Sequence, residues 1–234
     1  MFNQILKISL ENVLTSTGGK ILIAALVILC FLVIVKISKA PKDNNAKTMA
    51  VCGLLLATAI VLGELRLFKM PLGGSVTPAS MLPVILAGYF YGSRQGILLG
   101  SSAGIFKLLL GGATILNPFQ VVLDYVAAKG IIGASGFFKD KKHGLTIGGF
   151  VGILGRYIVA VISGYIFFAE YVPADFQHSA LVWSLYYNIT YLGVDDAITL
   201  AVLILFEKRF VYHNFLFNFT RLFPGLRIWN VFYG

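Results

Sequence analysis

The sequence predicts an all-α integral membrane protein, a bundle of seven hydrophobic spans in one domain, and three observations carry that prediction. Hydrophobic residues make up 58% of the 234-residue chain and charged residues only 12%, and the mean hydropathy is +0.84, far from the balance of a soluble domain. Apolar runs recur that are long enough to cross a hydrocarbon core of roughly 30 Å at about 1.5 Å per residue. No polar stretch between them is long enough to build a separate water-soluble core.

The net charge of +9 would point to nucleic acid in a soluble protein. Here the bases sit in short connections between apolar runs, where they orient the chain, so no nucleic-acid partner is expected. Cys30 and Cys52 both fall inside spans with no metal-ligand spacing and read as small apolar residues.

Residues 1–19 read as a short amphipathic lead, with Ile5, Leu6, Ile8, Leu10 and Val13 among polar residues and Gly18-Gly19 as a breaker. The first span, Lys20–Ser38, has no small-x-small cleavage site after it and is expected to stay in the membrane. The polar connector Lys39–Lys47 closes it. In the second span, Thr48–Phe68, Gly53 and Ala57 form a small-x-x-x-small pair that lets another helix approach closely. Lys69–Ser80 holds two prolines, two glycines and three hydroxyl residues, so it is a structured loop or lid rather than a continuous helix.

The short span Met81–Tyr91 runs into Gly92-Ser-Arg-Gln95, and the next continues to about Leu110. Gly92, Gly96, Gly100 and Gly104 recur every four residues and form a packing seam. They do not form a phosphate loop, because neither a Gly-Lys-Ser/Thr ending nor a strand-borne Gly-x-Gly-x-x-Gly is present. Gly111–Asn117 is a second irregular loop, and Pro118 suits the first turn of the span Pro118–Phe137. After the basic turn Lys139–His143, Gly148, Gly152 and Gly155 open a span reaching Ala169. Glu170–Ser179 is the third irregular loop. The last span, Ala180–Phe206, begins with Trp183, Tyr186, Tyr187, Asn188 and Tyr191 crowded together, and an aromatic tail follows.

Lysines and arginines fall in alternate connections: Lys39, Lys42 and Lys47, then Arg94, then Lys139, Lys141 and Lys142, then Lys208 and Arg209. Those connections are expected on the cytoplasmic side, with the three irregular loops outside.

Charged residues inside a span are costly and mark a partner, a pathway or a pocket. By depth at about 1.5 Å per residue, Arg156 is expected to pair with Asp195 or Asp196 near mid-membrane. Asp124 lies nearer the outer surface and has two readings: it neutralises Lys107, or, with the Tyr125 ring beside it, it meets a flat cationic ligand. Lys129 has no obvious partner. His143 and His178 stand alone, no Ser/His/Asp set shares one side, and no metal-ligand cluster occurs, so neither an enzyme nor a cofactor or metal site is expected.

Three separated stretches, in order, are Leu67-Phe-Lys-Met-Pro-Leu-Gly-Gly-Ser-Val-Thr-Pro-Ala-Ser-Met-Leu-Pro83, Asn117-Pro-Phe-Gln-Val-Val-Leu-Asp-Tyr125 and Trp183-Ser-Leu-Tyr-Tyr-Asn188. Together they resemble the thiamine-specific substrate-binding (S) components of energy-coupling factor transporters. The resemblance implies a six-helix membrane domain over 48–208. An extension, 1–47, precedes it with one extra transmembrane helix, and an interfacial tail, 209–234, follows. It also implies that a vitamin is captured from the outer side, beneath the loop after the first family helix. The chain would then dock on a transmembrane coupling protein driven by two cytoplasmic ATPases.

Matched by position, Asp124 and Tyr125 stand at the family's acidic residue and tyrosine, Asn188 at its asparagine and Gly164 at a pocket glycine. Phe168 stands where the family can have tryptophan, and Trp183 where it can have tyrosine. With Tyr187 of the aromatic cluster, these seven form the expected ligand-binding set. The chain departs from the pattern in its first outer loop, which offers no tryptophan or glutamate, in Gly111–Asn117, which lacks a tyrosine, and in the span Lys20–Ser38. Thiamine's permanent cation suits a carboxylate and ring faces, and its aminopyrimidine edge suits Asp and Asn. A neutral vitamin would need the rings but not Asp124. The competing readings are another cationic heterocycle or thiamine fragment, a membrane assembly protein held by its glycine seams, and, last, a membrane-embedded enzyme.

Overall fold

The computed structural model describes residues 16–38, 46–111 and 113–222, with side chains as far as residue 209. Most of the expected amphipathic lead, most of the connector Lys39–Lys47 and the end of the aromatic tail lie outside the described residues. The described chain is helical apart from one small hairpin. Its elements are α1 (Thr17–Ile37), α2 (Ala46–Glu64), β1 (Phe68–Lys69), β2 (Ser75–Val76), α3 (Leu82–Tyr91), α4 (Ser93–Leu109), the composite helix α5 (Pro118–Phe138), α6 (Gly144–Phe167) and α7 (Ala180–Leu222).

Local chemistry sets the ends. The Ser16 hydroxyl accepts from the Gly19 amide (3.1 Å) and caps α1, so Gly18 and Gly19 lie inside its first turn. The expected glycine break is thus corrected: a capping side chain satisfies amides that a helix start would otherwise leave bare. Asn117 caps α5 in the same way, accepting from the Phe119 amide at 2.9 Å, with Pro118 in the first turn. The last helix runs well beyond Phe206, to Leu222. Part of the expected tail therefore continues the final helix.

Among the described residues five helices are long and apolar enough to cross a bilayer: α1, α2, α5, α6 and the Ala180–Arg209 part of α7. The ten-residue α3 is too short to do so, at roughly 15 Å. It meets α4 at Gly92, whose φ of 103° makes it the corner between the two rods rather than a member of the seam.

The rest of the seam packs backbone against backbone. A Cβ at Gly96 would collide with Gly88 and Gly133, one at Gly100 with the Lys129 carbonyl, and one at Gly104 with the Tyr125 carbonyl. Across the next interface, Gly148 and Gly152 lie against the backbone of Ser135 and Ile132. Dispersion and close approach are what hold helices together when lipid removes the hydrophobic incentive.

The main core joins Ala59, Val84, Ile85, Leu99, Ile132, Leu145, Ile153 and Leu203. A second cluster holds the extra span in place, with Ala24 and Phe31 of α1 against Leu123, Ala127 and Ala128 of α5 and Val159 of α6. Outward-facing Leu22, Leu29, Leu32 and Leu54 are exposed, as lipid-facing positions should be.

The connections gather at two ends. At one end the Lys139 ammonium reaches the Phe90 carbonyl (3.3 Å), and Thr146 meets Glu207, so the Arg94 and Lys139–His143 turns lie together with the end of the last span. At the other end the hairpin and the loop 111–117 meet the starts of α5 and α7.

α5 is not one regular helix. A π-helical turn, Val122–Ala127, follows its first α turn, and a 3-10 stretch, Ile131–Phe138, ends it. The uniform helix expected over Pro118–Phe137 is corrected accordingly, and Asp124 and Tyr125 sit in the π turn. Such turns occur within α-helices mostly as single insertions, often at functional sites.

Candidate functional site

A cavity of about 250 Å³ opens between the hairpin, the loop 111–117 and helices α5, α6 and α7. Its lining brings together all seven expected ligand-binding residues, Asp124, Tyr125, Gly164, Phe168, Trp183, Tyr187 and Asn188.

The hairpin roof is built by sequence. Gly73 and Gly74, with φ of 95° and 86°, turn the chain between β1 and β2, and the pairing sets Phe68 opposite Val76 and Lys69 opposite Ser75. The turn packs so closely that a Cβ at Gly74 would fall 2.7 Å from the Tyr191 ring. The Tyr187 hydroxyl fastens it, accepting from the Leu72 amide (2.9 Å) and donating to the Gly73 carbonyl (3.0 Å). At the far side of the cavity the Tyr125 hydroxyl accepts from the Thr114 amide (2.8 Å) and donates to the Thr114 carbonyl (3.3 Å). Both loops are therefore held by rings from the expected ligand set.

Asp124 is positioned by Gln120, one turn earlier and 1% exposed. The Gln120 amide donates to the Asp124 carboxylate (2.6 Å) and the Thr114 carbonyl (3.1 Å), while its oxygen accepts from the Leu116 amide (3.1 Å). Among the described residues Asp124 has no ion-pair partner. Lys107 instead donates to Glu64 (2.6 Å) and to the Gly63 carbonyl (3.2 Å) at the end of α2. Of the two readings of Asp124, the salt bridge to Lys107 is thus removed. The sequence could not decide it, because Glu64, a span-terminal residue, was the closer acceptor.

Asn188 is turned into the protein. Its amide donates to the Ser184 carbonyl (2.9 Å), the Ser184 hydroxyl (3.2 Å) and the Ala160 carbonyl (3.4 Å), and its oxygen accepts from Tyr191 (3.0 Å). Gly164 makes room for that network, since a Cβ there would meet the Ser184 hydroxyl. Trp183 lies edge-on to Phe176 (5.0 Å) and tilted against Tyr187 (6.0 Å), while Phe168 leans on Tyr171 (6.0 Å).

The expected pairing of Arg156 is present. It reaches Asp195 at 3.2 Å and Asp196 at 3.9 Å and touches the Met81 sulfur. Asp195 also accepts from the Thr77 amide (2.9 Å) and hydroxyl (2.7 Å), tying the hairpin to α6 and α7. Arg156 and Asp195 line the cavity as well, as do Lys107, Lys129, Thr77 and Tyr191. A charge inside an apolar span was the available sign for four of them. Among the described residues no cluster of His, Cys, Asp and Glu is arranged to hold a metal.

The arrangement therefore offers one unpaired carboxylate among ring faces, in an enclosure roofed by a latched hairpin.

Comparison with known proteins adds the lineage. The chain is 32% identical over 167 residues to the thiamine transporter ThiT of Bacillus subtilis (strain 168), covering 65% of this chain and 85% of that protein. It is 26% identical over 141 residues to the thiamine transporter ThiT of Lacticaseibacillus paracasei, covering 55% of this chain and 66% of the relative. A solved structure of ThiT from Listeria monocytogenes has the same fold, with a TM-score of 0.54 at 22% identity over 68% of this chain and 90% of that one. The Thiamine transporter protein family model matches residues 49–214. A family match over most of the chain, with the fold beneath it, places the protein among membrane transporters rather than enzymes: it belongs to the thiamine transporter protein family.

Proposed function

We propose that the protein is the substrate-binding component of a vitamin importer, capturing thiamine in the cavity between the hairpin and helices α5, α6 and α7. The observation that carries this reading is Asp124, a carboxylate without an ion-pair partner among the described residues, lining a cavity beside Tyr125, Phe168, Trp183 and Tyr187. A thiazolium cation supplies the missing counter-charge and a flat face for the rings, and an aminopyrimidine supplies donors for the carboxylate. Asn188 would serve the ligand through the second lone pair of its carbonyl oxygen, because its amide is engaged and the oxygen already accepts from Tyr191.

The family's lineage supports a shared mode of working, in which the chain docks on a transmembrane coupling protein driven by two cytoplasmic ATPases. The open face of α2 favours that docking. Gly53 and Ala57 are both exposed, and a Cβ at Gly53 would meet nothing within 4 Å. Small residues facing outward invite a second helix.

The test is thiamine titration of the purified protein, read by tryptophan fluorescence, since Trp183 lines the cavity. Saturable quenching by thiamine that is absent with a neutral flat vitamin such as riboflavin is the expected result. Equal responses to both would overturn the assignment.

A further inference from the structure

Helix α1 lies outside the match to the family, which begins at residue 49. Leu22, Leu29 and Leu32 on its outer side are exposed, while Ala24 and Phe31 are buried against α5 and α6. The contact falls on the back of the binding wall. Leu123 and Val126 bracket Asp124 and Tyr125 in the π turn, Phe167 precedes Phe168, and Val159 precedes Ala160. In each case the residue named first belongs to the cluster with α1, and its neighbour lines the cavity. Ala128 does both. One thickness of helix therefore separates α1 from the ligand space.

A π turn is a rare departure from the α-helix, so its surroundings have to hold it. Ser101 of α4 donates its hydroxyl to the Val126 carbonyl inside the turn (3.1 Å). From α1, the Phe31 ring fills the notch left by the missing side chain of Gly130, just past the turn. A Cβ there would fall 2.8 Å from the ring and 2.5 Å from the Ser101 hydroxyl, so Phe31 and Ser101 meet at Gly130. Burial of apolar surface does not explain α1, because acyl chains would cover Leu123, Ala127 and Val159 equally well. What fluid lipid cannot supply is a fixed surface. Side chains of α1 restrict the rotation of the wall, whereas acyl chains follow it.

We propose that α1 braces the binding wall, with Phe31 and Ala24 positioning the π turn so that Asp124 and Tyr125 face the ligand before it arrives. This rests on the thiamine reading above. Phe31 sits behind the cavity lining, not in it. It is a positioning residue that acts through Gly130 and the turn. The effect is preorganisation: a wall already in its binding geometry loses less of the contact energy to ordering, and affinity falls with the fraction of molecules whose wall is out of place.

The experiment uses the full-length protein in lipid nanodiscs and reads two quantities: thiamine affinity by titration, and amide hydrogen exchange of the ligand-free protein. Phe31→Ala is expected to weaken thiamine by about fivefold to tenfold and to speed exchange in Val122–Ala127, while α2 and α3 exchange as in the wild type. Phe31→Leu, which refills the notch, should restore most of both. Ala24→Leu, which pushes α1 away from Leu123 and Ala127, should reproduce the loss, and Leu32→Ala on the lipid side of the same helix should change neither reading. Unchanged thiamine affinity in Phe31→Ala overturns the brace while thiamine capture survives. Faster exchange throughout the bundle overturns it too, because α1 would then support the whole fold rather than the wall. If the wild type does not bind thiamine, the reading beneath falls, and exchange in Val122–Ala127 decides the brace by itself: faster in Phe31→Ala alone supports it, unchanged overturns it.

Discussion

A carboxylate held in place by a neutral amide, and by no cation, can lose its charge without stranding a partner. Gln120 is that amide for Asp124. Asp124→Asn is therefore expected to leave thermal stability within about 1 kcal/mol of the wild type. Thiamine affinity should fall about tenfold to a hundredfold, the range of a hydrogen bond to a charged group. Calorimetric titration and a melting curve of the same variant check both numbers. Asp195 behaves differently. Its side chain is 1% exposed and serves Arg156 and two donors of Thr77, so Asp195→Asn should cost about 3 kcal/mol of stability by leaving a buried guanidinium short of charge. A melting temperature unchanged from the wild type would contradict that. At this scale the sequence was informative wherever a charge interrupted an apolar run, as at Asp124, Arg156 and Asp195. It was silent on direction. Whether Lys107 turned to Asp124 or to Glu64 depended on helix rotation, which spacing alone does not fix.

Among the elements, the glycine-rich rods were legible because their four-residue repeat is a backbone property, and the contacts of Gly96, Gly100 and Gly104 follow it. Gly92 shared the repeat but not the role, since its positive φ turns the chain. The π turn in α5 left no mark in the sequence: Val-Leu-Asp-Tyr-Val-Ala carries no glycine or proline that would announce it. The hairpin was legible as a non-helical segment from its prolines and glycines. Its latch was not, because Tyr187 and Leu72 are far apart in sequence. Helix α2 leaves Gly53 and Ala57 open, while the glycines of α4 and α6 are used for packing. Gly53→Leu should accordingly leave thiamine binding by the purified chain unchanged and abolish uptake in cells that carry the coupling subunits. Loss of binding in the isolated protein would mean that this face serves the bundle instead.

For the molecule as a whole, the alternation of basic connections predicts its sidedness. The Lys139–His143 turn should face the cytoplasm, and the segment Glu170–Ser179, whose Phe176 packs on the cavity residue Trp183, should face outward. With the two native cysteines replaced, Asp175→Cys is expected to react with an impermeant thiol reagent applied to intact cells, and Lys141→Cys only after lysis; the reverse pattern would invert the molecule. α5 stands at the centre of this arrangement, touching α1 through Leu123 and Ala127, α4 through Tyr125 and Lys129, and α6 through Ile132 and Ser135. Its π turn divides it into two halves of different phase. The first half keeps step with the loops over the cavity, and the second with the glycine interfaces below. Losing a single residue between Val122 and Ala127 would merge the two phases and rotate one half by about 100° against the other. The effect is a frameshift in space: either the cavity wall or the packing interface would have to present the wrong side chains, so the length of this turn is as much a part of the site as the residues on it.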